Sequence, residues 1–315
     1  MEILEINYYE RREIANSTLS LINPEQGGSP KLFQMYLEGT IQKLAPSPSL
    51  ENGSLLHLYV EDPSKFVVSD VVKPNESLCN VVTQYFQIKD SHLVETQDEI
   101  LLKAARLASY YNNYKDETLL NTLKKSSIYE YIAELELNEG KQFMTKEQKV
   151  VIEGCIEALS SHAACAKYLF QEWPDCEIFN EYNIFFQCLG IDCKARLDRL
   201  IVNHKEKYCV LIDLKTTSKR AQFFPESFEF WKYYRQMAFY KYAISKQFEG
   251  YSFSCYMPVV DTQFFTRHCY KISESQIDRG TIEYMNLLSR AKWHMDNSEW
   301  NYTMEEFNNN YLINL

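Results

Sequence analysis

The chain has 315 residues, of which 45% are apolar, 14% aromatic and 24% charged, with nine glycines and nine prolines. That supplies a sizeable core and leaves too little glycine, proline or low-complexity sequence for a linker or a disordered scaffold. A net charge of −10 argues against indiscriminate binding to nucleic acid but leaves room for a local basic groove.

The opening M-E-I-L-E-I-N-Y-Y-E has no basic region followed by an apolar stretch, so no secretory leader is expected there. Gly27-Gly28 followed by Ser29-Pro30 reads as a helix start, with proline in the first turn. L-A-P-S-P-S-L-E-N-G (44–53) reads as a loop, and S-L-L-H-L-Y-V after it as a short helix. Helical spacing recurs over 98–111, 117–137 and 146–171, with Thr145 and Gln148 as a capping box before the last.

Near residue 177 the pattern changes. Residues 180–188, 193–202 and 208–215 are rich in β-branched, aromatic and aliphatic side chains, and L-G-I-D and N-H-K-E-K between them are turn-like. They are expected as three consecutive strands of a meander. A helix over 230–246, strands over 251–260 and 263–272, and a long helix over 274–296 follow. The expected organisation is one domain over 1–315, with a mainly helical part to 175, an α/β core over 176–296 and a tail over 297–315. Its nine cysteines are odd in number and contain no C-x-x-C, which fits reduced thiols in a cytoplasmic protein better than a metal cluster. No run of about 18 apolar residues occurs, so no membrane partner is expected.

Asp198 falls in the second strand run, Asp213 and Lys215 in the third. Strand residues two apart share a face, so Asp213 and Lys215 point the same way, and a suitable register brings Asp198 to them. Two converging carboxylates repel unless a divalent cation sits between them, and hard oxygen donors suit Mg²⁺ or Mn²⁺. An adjacent lysine can then position or deprotonate a water, which fits metal-assisted hydrolysis of a phosphodiester. The acid-x-lysine triplet alone carries little, because it also occurs at Glu139/Lys141, Glu147/Lys149 and Asp192/Lys194. A salt bridge on a solvated sheet face is the competing reading of the third strand. The downstream helix adds Gln236 and Tyr240, four apart on one face, with Tyr233 near it. Lys194 and Arg196, with Lys219 and Arg220, are the basic candidates for a DNA groove.

Acidic residues on adjacent strands, one in D-x-K, followed by a helix with Q-x-x-x-Y, resemble the PD-(D/E)XK nuclease superfamily. The blocks K-A-R-L-D-R-L-I-V, V-L-I-D-L-K-T-T and Y-Y-R-Q-M-A-F-Y are similar to those of its RecE-type exonuclease VIII branch. Upstream, N-G-S-L-L-H-L-Y-V-E-D-P-S-K-F (52–66) is similar to that branch's glycine-then-histidine block, and I-A-N-S-T-L to its N-terminal segment. The likeness runs in order over roughly residues 7–295. Two departures are Leu197, where proline often precedes the first aspartate, and Glu61, where leucine usually stands before the acidic-proline pair.

The resemblance implies a restriction-endonuclease-like core: a central mixed β-sheet flanked by helices, with a helical N-terminal region. It implies that His57, Asp198, Asp213 and the carbonyl of Leu214 hold Mg²⁺ (or Mn²⁺). Lys215 would handle the water, and Gln236 and Tyr240 would buttress the site or touch phosphate. Glu181 matches a glutamate often found opening the first strand, either supporting the site or standing as a plain charge. The implied activity is a 5′–3′ exonuclease on linear double-stranded DNA that leaves 3′ overhangs for a single-strand annealing protein, in a ring around DNA and of phage origin. The alternatives are a structure-specific nuclease, an endonuclease, or a non-catalytic DNA-binding protein on the same fold. Asp192, His162 and His204 are expected to be structural.

Overall fold

The structure is a computed structural model that describes residue 8 and residues 11–41, 48–91 and 94–312. The leader-free reading of the N-terminus, apart from Tyr8, and residues 44–47 of the expected loop lie outside those residues. Packing groups the chain into two compact units, Met1–Glu61 with Val151–Leu315, and Asp62–Val150. The expected division at 175/176 does not follow that grouping, because Ile14, Leu19, Ile22 and Phe33 share one core with the sheet residues.

The chain opens with α1 (Asn16–Leu19), α2 (Pro30–Glu38) and α3 (Pro48–Glu61). Ser29 caps α2, its hydroxyl accepting from the Leu32 N–H at 3.1 Å. α3 includes the expected short helix but starts at Pro48, so Asn52 and Gly53 are helical rather than loop. The unit Asp62–Val150 holds β1 (Phe66–Val68), α4 (Glu76–Ile88), α5 (Gln97–Leu107), α6 (Asp116–Lys124), α7 (Ile128–Leu137) and β2 (Gln142–Met144). Leu101, Ala104, Leu119, Leu123, Ile128 and Ile132 are among the residues that form its own core. α8 (Lys146–Ser161) begins with the expected capping box: Thr145 N–H donates to Gln148 at 2.9 Å and Gln148 N–H to Thr145 at 3.1 Å. His162 then caps α9 (Ala163–Leu169), its Nδ1 accepting from the Cys165 N–H at 3.2 Å.

The meander forms as expected: β3 (Glu177–Cys188), β4 (Ile191–Asn203) and β5 (Tyr208–Ile212) are antiparallel neighbours. β6 (Lys215–Thr217), α10 (Phe224–Phe230), α11 (Tyr233–Gln247), β7 (Ser252–Asp261), β8 (Arg267–Ile272), α12 (Glu274–Asn297) and α13 (Met304–Asn308) follow. The third strand is not continuous to Lys215, however. β5 and β6 both pair in parallel with β7 in one register, Tyr208 opposite Ser252 and Lys215 opposite Val259, so they form a single line broken at Asp213 and Leu214. β8 pairs antiparallel with β7, and the sheet, antiparallel from β3 to β5 and parallel from β5 to β7, is mixed.

α11 and α12 cover one face of the sheet, with Met237, Ala238, Phe239, Tyr284 and Leu288 fully or nearly fully buried in the larger core. The fully buried guanidinium of Arg235 pins α11 to the N-terminal segment and to α12. It donates to Asn16, Ser20, Gln26 and Glu283 at 2.8 to 3.2 Å, the saturation a buried cation requires. Tyr168 of α9 stacks on Tyr256 of β7 with ring centres 4.0 Å apart. All nine cysteines are free thiols. Among the described residues no helix is long and apolar enough to cross a membrane.

Candidate active site

Three neighbouring strands lose their regular ladder at one height. On β3 and β4, pairing runs through Asn180–Arg199 and Tyr182–Leu197 but skips Glu181 and Asp198. Glu181 stands at φ 49°, a left-handed conformation that a glutamate adopts only under constraint. β4 pairs with β5 up to Arg199–Ile212, and the next residue along β5 is Asp213, at the break. The core face of β4 changes parity across the same point, from Cys193, Ala195 and Leu197 to Leu200 and Val202. Splaying at this height frees backbone groups and lets side chains converge that strict alternation would send to opposite faces.

The freed groups are put to use. Leu214 N–H donates to Asp198 Oδ2 at 2.7 Å, and His57 Nδ1 lies 3.2 Å from Asp198 Oδ1. α3 delivers that imidazole. A methyl on Gly53 would stand 2.9 Å from Thr216 Oγ1, so the glycine lets α3 approach β6 closely, and His57 follows one turn later on the same face. His57, Glu181 and Asp198 each offer one ligand atom, all within 4.8 Å of one another. With Leu214, Asn180 and Arg199 they line a cavity of about 20 Å³, enough for one water-sized particle.

Charges in the site are set by burial and by one another. Burial alone would push Asp198 up, but His57, Lys215 and the Leu214 N–H hold it below the usual carboxylate range. Burial would lower His57, and Asp198 outweighs it to raise the imidazole. Glu181 is raised by burial and by Asp198, with Arg196 as its partner. Glu181 lies inside β3, which begins at Glu177, rather than opening the strand.

Asp213 sits deeper, at 1% exposure. Gln236 Nε2 donates to its Oδ1 at 3.2 Å and to the Tyr240 hydroxyl at 2.8 Å, the contacts that place Gln236 and Tyr240 at the site. Lys215 Nζ is 2.7 Å from Asp213 Oδ2 but badly aligned, and that oxygen makes no hydrogen bond among the described residues. Burial pushes Asp213 up to about 6. Burial would lower Lys215, yet Asp213 and Asp198 together hold it well above its ordinary value. Tyr233 lies beneath the ammonium, with the ring centre 5.0 Å away.

The basic candidates separate. Lys194 is buried, its amine donating to the carbonyls of Tyr8 at 2.7 Å and Arg11 at 2.5 Å, which turns it away from any phosphate. Arg196 is joined to Glu181. Lys219 pairs with Glu226 at 2.9 Å on the surface, and Arg220 lies over Phe264. His204 bridges Glu177 and Tyr251 at the far hairpin, and Asp192 accepts from Gln187 at the turn.

The sequence matches the PDDEXK-like domain of unknown function (DUF3799) across residues 19–309. The chain belongs to that family. No curated protein matches it. Among solved structures, the "Putative exonuclease" from Eubacterium rectale is similar at 11% identity and a TM-score of 0.51, covering 100% of this chain and 96% of that one. SSO0001 aligns at 13% identity over 74% of this chain and 84% of that one, with a TM-score of 0.24, too low to argue from. The first of these likenesses supports the fold.

PDDEXK nucleases typically use divalent metals, and this PDDEXK-like domain has a donor set that fits one. An imidazole and two carboxylates converge on a cavity of ion size, and a buried carboxylate oxygen at Asp213 lacks an aligned hydrogen bond beside them. Sequence reasoning missed Asn180 as a cavity residue because it neighbours a ligand candidate, and alternation sends neighbours to opposite faces. It gave Gly53 no mechanical role, although the four-residue spacing to His57 was there to read.

Proposed function

We propose that this PDDEXK-like domain is a divalent-metal-dependent deoxyribonuclease, acting as a 5′–3′ exonuclease on linear double-stranded DNA. The observation that carries the reading is the convergence of His57, Glu181 and Asp198 beside the Asp213–Lys215 pair, at the height where three strands part. His57, Asp198 and Glu181 would hold the ion (Mg²⁺ or Mn²⁺), with Asp213 and the Leu214 carbonyl as further donors. Bound there, the ion supplies Lewis-acid activation of the phosphodiester and its attacking water. Without the ion Lys215 is held protonated by two carboxylates, and beside it the ammonium would position the water and meet developing negative charge. Gln236 and Tyr240 keep Asp213 in place.

The finer parts of the reading rest on the RecE-type motif likeness, and the name of the Eubacterium rectale neighbour agrees only with an exonuclease. These are the exonuclease polarity, the 3′ overhang, a ring around the DNA end and a single-strand annealing partner. End-labelled linear and closed circular duplexes are incubated with Mg²⁺ or EDTA, beside Lys215→Ala. Loss of linear DNA alone, stopped by EDTA and by the substitution, is expected. Cutting of the circle would make the protein an endonuclease, and binding without metal-dependent cleavage would make it a non-catalytic DNA-binding protein.

A further inference from the structure

Beyond Lys215 the chain builds a second feature that the site above does not use. β6 and β7 run in parallel and end together at Thr217 and Asp261, so the segments after them, 218–223 and 262–266, emerge side by side. Thr262 N–H donates to the Thr217 carbonyl at 3.1 Å, and Ala221 N–H to Thr266 Oγ1 at 2.8 Å, which ties the two together.

The turn after β7 is held unusually firmly. Asp261 is fully buried, and its carboxylate accepts from the N–H groups of Gln263 at 3.0 Å, Phe264 at 2.5 Å and Thr266 at 2.8 Å, and from the Thr266 hydroxyl. Phe265 takes φ 54°, a conformation costly for a bulky residue. Its ring packs onto α8 at Gly154, where an added methyl would come within 2.5 Å of it. A buried carboxylate, a left-handed phenylalanine and a glycine seat thus maintain one turn.

That turn presents Phe264 to solvent at 60% exposure, with the Arg220 guanidinium over its ring at 5.1 Å. Phe223 stands on the neighbouring segment at 47% exposure. In a chain of net charge −10, residues 218–223 and 262–268 carry Lys219, Arg220 and Arg267 and no acidic residue, with Lys219 paired to Glu226 and Arg220 over the Phe264 ring. Exposed rings interleaved with cations, on a pre-organised support, are the physical requirements for stacking unpaired bases while the phosphates are neutralised.

We propose that Phe264, with Arg220 and Phe223, is a stacking platform for a single-stranded stretch of the DNA substrate next to the scissile bond. The proposal rests on the nuclease reading of the site. Its occupant is a nucleic-acid strand rather than a protein, because the Arg220 guanidinium lies over the exposed Phe264 ring and the turn that carries Phe264 is held by the buried Asp261 carboxylate.

The test uses the full-length protein in EDTA. Blunt duplexes are compared with duplexes bearing a single-stranded tail of about ten nucleotides that contains 2-aminopurine. Wild-type protein is expected to bind the tailed duplex more tightly and to quench the probe. Phe264→Ala should lose about tenfold in affinity for the tailed duplex, and the quenching with it, at an unchanged melting temperature and unchanged affinity for the blunt duplex. Phe264→Trp should keep both, and Arg220→Ala should lose several-fold. Wild-type quenching and affinity in Phe264→Ala would overturn the platform. Cleavage by the wild type in Mg²⁺, run in parallel, separates the cases. DNA degraded with an indifferent Phe264→Ala refutes the platform and leaves the nuclease standing, whereas a wild type that neither binds nor cleaves DNA refutes both.

Discussion

Asp198 lies in β4 and Asp213 at the break between β5 and β6, each beside a cationic group, and their surroundings treat them oppositely. Asp198 is one-fifth exposed, faces a cavity, and is held below the usual carboxylate range by His57, Lys215 and a backbone N–H. Asp213 is almost wholly enclosed by Lys215 and Gln236, and burial lifts it to about 6. The first carboxylate is kept ionised and open; the second is packed away and resists ionising. One neighbouring cation therefore does not decide a carboxylate's role by itself. Burial raises both, and the balance is set by how many cationic and N–H partners oppose it, which His57, Lys215 and the Leu214 N–H do at Asp198.

The largest difference between them should appear in catalysis. Asp198→Asn is expected to lower metal-dependent cleavage of linear DNA on the order of 10³-fold or more, the scale on which loss of a group placed at developing charge acts. A turnover near wild type in that variant would remove the open carboxylate from the chemistry.

The next effect is on stability, and it has opposite signs at the two positions. The folded-state pKa of Asp213 lies above its unfolded value of about 3.9, so the unfolded state holds fewer protons between them, and stability falls as pH rises from about 4 to about 6. Asp198 is shifted down, so its contribution is present above about 4 and is lost as pH falls below that. In metal-free protein, Asp213→Asn should cancel the loss of stability that the wild type shows between pH 4 and pH 7, while taking from the Lys215 ammonium one of its two carboxylates. Asp198→Asn should destabilise at pH 7. Denaturant melts at the two pH values check both, and equal signs would contradict the contrast.

Much of this was legible before any coordinates. The strand runs, the Asp198, Asp213 and Lys215 positions, and the Gln236–Tyr240 pair were visible because period-two and period-four spacing survive in the sequence. The Thr145–Gln148 box was visible because capping is local chemistry. The broken ladder was not visible. The left-handed residue in β3 is a glutamate rather than a glycine or asparagine, and V-L-I-D-L-K-T-T reads as one strand because its pairing with β7 keeps one register across the gap. Lys194 looked like a surface cation because alternation gives the face of a residue and not what covers that face. The second compact unit had no signal either, since one of its boundaries falls inside α8, where no loop composition announces it.

Two smaller effects follow from that illegible geometry. Asparagine tolerates the left-handed region and carries no charge to desolvate, so Glu181→Asn should match or exceed wild-type stability while cleavage falls about 10- to 100-fold. Loss of stability with activity intact would make Glu181 a purely structural residue. Gly53→Ala should be smaller still. A methyl against Thr216 pushes α3 outward, and a few-fold loss of cleavage is expected although alanine favours the helix. Unchanged cleavage would show that the close approach of α3 does not set the reach of His57.

The most direct measurement is a Mn²⁺ titration of wild-type, Asp198→Asn and Asp213→Asn protein by calorimetry, without DNA. Wild type is expected to bind the ion, Asp198→Asn to lose that binding, and Asp213→Asn to keep a weakened part of it. Unaltered Mn²⁺ affinity in Asp198→Asn would contradict a cation site built on His57, Glu181 and Asp198.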